Sequence, residues 1–353
     1  MTATDDALAA LARTSYLLDR ILAPSSKVRA YANAAEVVAG LAPGELEQRV
    51  ADGTLQELPG IGPSTGSVIS EAVRGEVPAK LAELERTSVL PLTEEGRPYR
   101  EALRGDCHAH STWSDGGASI EAMALAAAGL GHEYLVMTDH SPRLTVAHGL
   151  NRERLEAQLV EIERLNAEMA PFRILTGIEV DILEDGALDG EDDMLDRLDI
   201  VVASVHSKLS MDAEEMTRRM VLAVANPQVD ILGHLTGRKL RARVPMPGDD
   251  PEVARKASRF DPELVFAACA QFDTAVEINC RPERQDPPDD LLALALDWGC
   301  KVSIDTDAHA TAQLEWQVYG CDKAARHAIE PERIVNTMGA DELVEWASSH
   351  PAG

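Results

Sequence analysis

Basic residues are scarce in this chain, and so are aromatic ones. Against 60 aspartates and glutamates stand 33 lysines and arginines, a net charge of −27 over 353 residues. The deficit is uneven: residues 1–100 hold 10 basic and 14 acidic residues, net −4, which leaves −23 for the remainder. A surface of that sign excludes broad electrostatic wrapping of nucleic acid. Its simplest service is solubility, although cations gathered in a cleft would offset part of it locally. Aromatics make up 4% of the chain, so aliphatic side chains must fill the core. No apolar run reaches transmembrane length, and the opening MTATDDALAA has neither the basic nor the apolar segment of a secretory signal. Cys107, Cys269, Cys280, Cys300 and Cys321 are odd in number and form no paired spacing motif. A disulfide framework is thereby excluded, and the expected location is the reducing cytoplasm, with no membrane partner.

What is present divides into two parts. Residues 1–87 read as helical. The stretch DDALAALARTSYLLDRILA carries an apolar stripe at Leu8, Leu11, Tyr16, Leu18 and Leu22, and the next helix, SSKVRAYANAAEVVAGL, has Ser25 or Ser26 as N-cap and Gly40 at its stop. Leu58-Pro59-Gly60-Ile61-Gly62-Pro63-Ser64 is a glycine-rich turn between two helices. Such a turn resembles a helix-hairpin-helix, whose backbone amides at Gly60 and Gly62 can receive a DNA phosphate. The plainer alternative is a tight hairpin that needs glycine for its geometry alone. Residues 88–103, with two prolines and a glycine, read as a linker or short connecting structure.

From residue 104 to 353 the rhythm changes. Seven apolar runs recur (RGDCHAH, YLVMTDH, RILTGIEVD, DIVVASVH, VDILGH, TAVEIN and KVSIDTDAH), with helical stretches such as SIEAMALAAAGL, RERLEAQLVEIERLNAEM and DDLLALALDWG between them. Alternating strand and helix over this length predicts a parallel α/β barrel with its functional residues at the C-terminal strand ends.

Six of the ten histidines fall at those ends: His108, His110, His140, His206, His234 and His309. Carboxylates join them at Asp115, Glu179 and Asp307. His132, His148, His327 and His350 lie in helical or loop contexts and read as packing or surface histidines. In an extended strand Asp106, His108 and His110 share one face and Cys107 and Ala109 the other; Asp305, Asp307 and His309 repeat the pattern. Histidine with carboxylate suits Zn²⁺, Mn²⁺ or Fe²⁺, and nine ligands exceed the needs of one ion, so two or three divalent metal ions are expected.

HAHSTWSDG, TDHS, GIEVDI, SVHS, GHLTGR, EIN and IDTDAH together resemble the PHP (polymerase and histidinol phosphatase) family over about residues 104–311. Within that family the similarity runs to the C-terminal PHP domain of bacterial family-X DNA polymerases, and the N-terminal helices resemble the small lyase-like domain of the same enzymes. The resemblance implies a distorted seven-stranded (β/α) barrel preceded by a small all-α domain. It implies metal binding by His108, His110, Asp115, His140, Glu179, His206, His234, Asp307 and His309, with Glu179 as the bridge between ions. Several family members have histidine where this chain has Asp115, and an oxygen ligand there favours Mn²⁺ or Fe over zinc. Two departures stand out. About fifteen residues replace the polymerase palm, so polymerase activity is not expected. No lysine lies between Lys27 and Lys80, so neither is Schiff-base lyase chemistry.

The expected activity is metal-dependent phosphoester hydrolysis at DNA 3′ ends, as a 3′–5′ exonuclease or 3′-phosphatase. The alternatives are a small-molecule phosphatase of histidinol-phosphate or nucleotide type and a non-catalytic DNA-end binding module. Asp307, Glu179, Arg238 and Arg143 are expected in catalysis, with Lys208, Arg281 and, more remotely, Arg284 on phosphate. Asp139 and Asp305 are expected to orient ligand histidines.

Overall fold

Thr2 and Asp5 close a reciprocal cap on the first helix, each side chain accepting the other's backbone N–H. From that start a computed structural model describes residues 2–241 and 252–351, which divide into two compact units, Met1–Leu90 and Pro91–Gly353. The first unit holds helices Ala3–Arg20, Ser25–Ala39, Glu45–Asp52, Pro63–Val73 and Ala79–Thr87. Its core is aliphatic, built on Leu11, Leu17, Val38, Leu46, Ile69 and Leu84. The buried stripe of the first helix runs through Ala7, Leu11, Thr14 and Leu18, while Leu8, Tyr16 and Leu22 are only partly covered. Pro24 rather than a serine takes the N-cap of the second helix, and Gly40 is its C-cap.

In the glycine-rich turn, Ile61 N–H bonds Leu58 O at 3.1 Å and Gly60 takes φ +93°, a backbone that side chains resist. The Gly62 N–H is occupied by Thr65 Oγ1 at 3.0 Å, whereas the Gly60 N–H has no acceptor among the described residues. Of the two amides expected to face a phosphate, the geometry leaves Gly60 available and makes Gly62 the N-cap of the helix beginning at Pro63.

The stretch read as a linker is structured. Ser88 is buried in the first unit, held by Arg20. Past Leu90 the chain joins the second unit: Thr93 bonds Asp322 through backbone and hydroxyl, and Arg97–Ala102 is a helix packed on helix Gln317–Arg326.

The strands of the second unit are β1 (Gly105–Ala109), β2 (Tyr134–Met137), β3 (Arg173–Asp181), β4 (Ile200–Ser204), β5 (Ile231–Leu232), β6 (Lys239–Leu240), β7 (Val253–Arg255), β8 (Ala275–Asn279) and β9 (Val302–Asp305). Seven of them form one parallel sheet in the order β1-β2-β3-β4-β5-β8-β9, and these are the seven apolar runs of the sequence. A bridge from Ala109 to Ala308 brings its two edges together, so the sheet curls nearly into a barrel. β6 and β7 make a separate antiparallel pair.

One face of the sheet packs on helices: Ala109, Leu135, Met137 and Ile174 lie against Ile120 and Met123 of helix Ile120–Gly129 and Ile162 of helix Arg152–Met169. The other face gathers Cys107, Tyr134, Val136, Leu175, Val202 and Ala275 inside, where Val335, Leu343 and Trp346 close the lower end. At that end His350 stands 3.0 Å from the buried Asp230. No helix among the described residues is long and apolar enough to cross a membrane.

Candidate metal centre

β1 does not alternate as an ideal strand would. Its register against β2 slips by one residue between Asp106 and Ala109, so Cys107 and His108 both turn inward. The expected facing of β1 is therefore corrected. Cys107 looks into the barrel, not away from it, and Asp106 turns to Thr306 across the β1–β9 seam. β9 ends irregularly as well: Asp307 has φ +51°, a left-handed backbone that aspartate tolerates better than most residues, and the strand's alternation stops there.

Glu179, on the inner face of β3 and 1% exposed, is the focus of the upper end. His140 Nδ1 and His234 Nε2 lie 2.9 Å from its carboxylate, His108 Nε2 and His206 Nε2 3.3 Å, and His110 Nε2 3.6 Å. A second gathering lies beside it. His309 Nε2 is 3.3 Å and His140 Nε2 3.5 Å from Asp115, and Asp307 is 3.5 Å from both His110 and His309. The nine residues expected to ligate thus meet at one end of the barrel.

His234 Nε2 hydrogen-bonds Glu179 Oε1 at 2.9 Å, but around the other oxygen the donor atoms converge without bonding. Glu179 Oε2, His108 Nε2, His110 Nε2 and His140 Nδ1 are all buried and none has a hydrogen-bond partner, although the three nitrogens surround that oxygen. Each unpaired buried polar atom costs about 1–3 kcal/mol, which a shared cation would relieve. Among the described residues, three sets each bring their donor atoms within 4.8 Å of one another: His110, Asp115, His140 and His309; His108, His110 and Glu179; His140, Glu179 and His206. Imidazole and carboxylate in such sets suit divalent transition metals.

The electrostatics agree. Burial would push the Glu179 carboxyl up, but the surrounding imidazoles hold it well below the usual carboxylate range. Burial likewise opposes ionisation of Asp307, and Arg281 and Arg284 overcome it. For His206, burial pulls the pKa down, yet Glu179 and Asp181 outweigh it and raise the ring to about 9. His234 is lowered to about 4 by burial and the charge of Arg284.

Two carboxylates that sequence reasoning gave no role sit directly beneath the ligands. Glu277 receives His108 Nδ1 at 2.6 Å, accepts the backbone N–H of His234, and accepts Asn279 Nδ2, which also reaches Asp307 at 3.3 Å. Asp181 pairs with His206 Nδ1. Each faces inward because it stands two residues from another inward group: Glu179 and Asp181 on β3, Glu277 and Asn279 on β8. Asp139 and Asp305, expected in this role, do other work. Asp139 accepts the N–H and hydroxyl of both Ser111 and Ser114 and the Gln158 amide, which fastens the loop bearing Asp115. Asp305 accepts Cys107 N–H and Asn336 Nδ2. Replacing Glu277 with alanine is expected to weaken metal affinity about 10- to 100-fold, the usual cost of losing a carboxylate behind a ligand histidine. Calorimetric titration of the metal-stripped protein with Mn²⁺ reads it, and unchanged affinity would deny Glu277 the role.

A cleft of about 220 Å³ opens on the ligands, walled by Asp115, His140, His206, Asp307 and His309 and by Lys239, Arg255, Arg281 and Arg284. Arg281 bonds Asp307 O at 3.0 Å and Arg284 bonds Asp307 Oδ2 at 2.9 Å. Arg238 does not wall the cleft. Its guanidinium is turned onto the carbonyls of Arg284 and Gln285 and so supports the loop that carries the two arginines. Arg143 is exposed, its backbone N–H on Asp189, and Lys208 is exposed beside Glu184 at 3.9 Å; neither reaches the cleft. Lys239 and Arg255 were not foreseen; the only hint was that Lys239 follows the GHLTGR motif.

A family model described as the PHP domain matches residues 106–258. The chain is 39% identical over 242 residues to the DNA polymerase/3′-5′ exonuclease PolX of Bacillus subtilis, an alignment covering 68% of this chain and 40% of that protein's length. A probable phosphatase of Thermoanaerobacter is 31% identical over 218 residues, covering 58% of this chain and 79% of the relative. Among solved structures, a histidinol phosphate phosphatase of Lactococcus lactis, complexed with zinc, L-histidinol and phosphate, aligns with 63% of this chain and 92% of its own at 20% identity and a TM-score of 0.44.

Proposed function

Because the chain belongs to the PHP-domain family, we propose that it is a metal-dependent phosphoesterase that acts on DNA 3′ ends, as a 3′–5′ exonuclease or 3′-phosphatase. The observation that carries the reading is the set of unpartnered imidazole nitrogens around Glu179 Oε2. His108, His110, Asp115, His140, Glu179, His206, His234, Asp307 and His309 would hold two or three divalent cations, of zinc, manganese or iron. Cations bound there supply a coordinated water of lowered pKa and neutralise charge on a phosphate. The protein's own groups do the rest. Glu277 and Asp181 fix the rings of His108 and His206 with Nε2 turned to the centre. Arg281 and Arg284, anchored on Asp307, present guanidinium groups at the cleft for phosphate oxygens.

The DNA reading is supported by the 39% identity to a protein named as an exonuclease and by the glycine-rich turn with its exposed Gly60 amide. A small phosphate ester is the second reading, favoured by the modest cleft and by the probable phosphatase of which this chain spans 79%. Elemental analysis of protein prepared without chelator is expected to find two or three transition-metal ions per chain. Hydrolysis of labelled 3′ ends and of p-nitrophenyl phosphate is expected with Mn²⁺ and not after chelation. One ion or none per folded chain, with turnover indifferent to chelator, would sink the proposal.

A further inference from the structure

We infer that Lys239 and Arg255 form a second anion subsite beside the metal ligands, one that takes a phosphate adjacent to the phosphate being hydrolysed; this rests on reading the cleft as a phosphoesterase site. β6 and β7 are short strands of one antiparallel pair, and in its register Lys239 stands directly opposite Arg255. Like charges facing each other across such a pair repel. Glu283, which also walls the cleft, offsets Lys239 alone, and among the described residues no carboxylate pairs with Arg255. Lys239 has Glu283 at 3.5 Å, and Arg255 gives its Nε to Gly237 O at 2.8 Å. Burial and the charge of Arg284 push the Arg255 guanidinium below its usual pKa, so a third cation is near. Both residues wall the cleft that also touches His140, His206 and Asp307. An anion seated between them turns the repulsion into charge-assisted hydrogen bonds. The position is fixed, because Leu240 N–H bonds Glu283 O at 2.6 Å and ties the pair to the loop of Arg281 and Arg284.

Two phosphates side by side are the chemistry of a phosphodiester chain, which makes the strand end of a single-stranded nucleic acid the favoured source. A small bisphosphate is the other source. A substrate with one phosphate leaves the subsite unused, and that difference is measurable.

The full chain, loaded with Mn²⁺, is compared with the double variant Lys239→Ala/Arg255→Ala on p-nitrophenyl phosphate, thymidine 3′,5′-bisphosphate and a fluorescent tetrathymidylate. Anisotropy titration with the phosphorothioate form of the tetranucleotide reads binding apart from turnover. For the double variant, KM and Kd of the tetranucleotide should rise about tenfold, with kcat and the p-nitrophenyl phosphate KM within about twofold, the pattern of lost binding with chemistry intact. The slope of log affinity against log salt should become shallower by about 0.7, one phosphate contact on a single strand. Lys239→Arg/Arg255→Lys, which keeps both charges, should restore binding. A penalty on the bisphosphate, with no binding of the tetranucleotide by the parent, upholds the subsite and assigns it to a small molecule. Unchanged affinity in the alanine variant overturns it, as does a parent that binds neither ligand. An equal KM rise on p-nitrophenyl phosphate also overturns it, because the pair would then hold the scissile phosphate. Should the metal-loaded parent hydrolyse none of the three, the phosphoesterase reading fails separately and the titration still decides the subsite.

Discussion

Glu179→Ala is expected to give a folded chain that retains almost no transition metal and hydrolyses phosphate esters about 10³-fold more slowly, the scale of losing preorganised charge at a reacting phosphate. The size of the effect follows from position. Glu179 lies within 3.6 Å of five imidazoles, and its Oε2 is the atom around which three unpartnered nitrogens gather. No other carboxylate among the described residues faces as many histidines, and with it gone His108, His206 and His234 lose the carboxylate they share. The fold should survive, because the hydrophobic clusters of the barrel lie on its helix-facing side and at its lower end. Metal content by mass spectrometry, melting temperature and p-nitrophenyl phosphate turnover are measured on the same preparation, with Glu179→Gln as the near-isosteric companion. Parent-like metal stoichiometry with activity within about tenfold in a folded variant would remove Glu179 from the centre of the mechanism.

Removing residues 1–90 should have the second largest effect, and on one substrate class only. Each unit has its own buried core, so residues 91–353 are expected to stand as a folded body. With DNA as substrate, the turn at Gly60 would hold backbone phosphate through an exposed amide, and its loss should raise the KM for labelled DNA ends by about tenfold or more while kcat moves little. Hydrolysis of p-nitrophenyl phosphate should be unchanged, since all nine candidate ligands and the cleft lie past residue 104. Equal DNA turnover by a stable truncation would transfer the proposal to the small-molecule phosphatase. The full chain's DNA affinity should also respond only weakly to salt, because residues 1–90 hold eight basic side chains and four of them are already paired, Arg13 with Glu85, Arg49 with Glu45, Arg74 with Glu76 and Lys80 with Glu83.

All seven barrel strands were legible because each is a short apolar run, and the gathering of the nine candidate ligands because they cluster where those runs turn polar. What the sequence hid were relations between strands. An alternating pattern assigns Cys107 and His108 to opposite faces, and only pairing with β2 reveals the slip that puts both inside. Glu277 and Asp181 were visible as strand carboxylates, but which ring each would meet depends on strands far off in the chain: Glu277 meets His108, 169 residues away. Arg238, Arg143 and Lys208 were assigned to phosphate for standing next to ligands in sequence. Nearness along the chain says nothing about direction: Arg238 turns onto the carbonyls of Arg284 and Gln285, Lys208 stands beside Glu184, and Arg143 is not among the residues that wall the cleft. Lys239 and Arg255 face each other only because an antiparallel pair aligns them.

The loop carrying Asp115 separates two jobs. Asp139 secures its backbone and serines, and Gly116 sits where any side chain would strike His110 O at 2.7 Å, so the bend is set by residues other than 115. Asp115 itself is 36% exposed in its side chain and reaches the cluster from outside. In evolutionary terms residue 115 would be a dial: if Asp115 ligates a cation, a single codon change would trade an oxygen ligand for a nitrogen one and shift which cation is preferred, while the contacts that set the loop's bend lie at other residues.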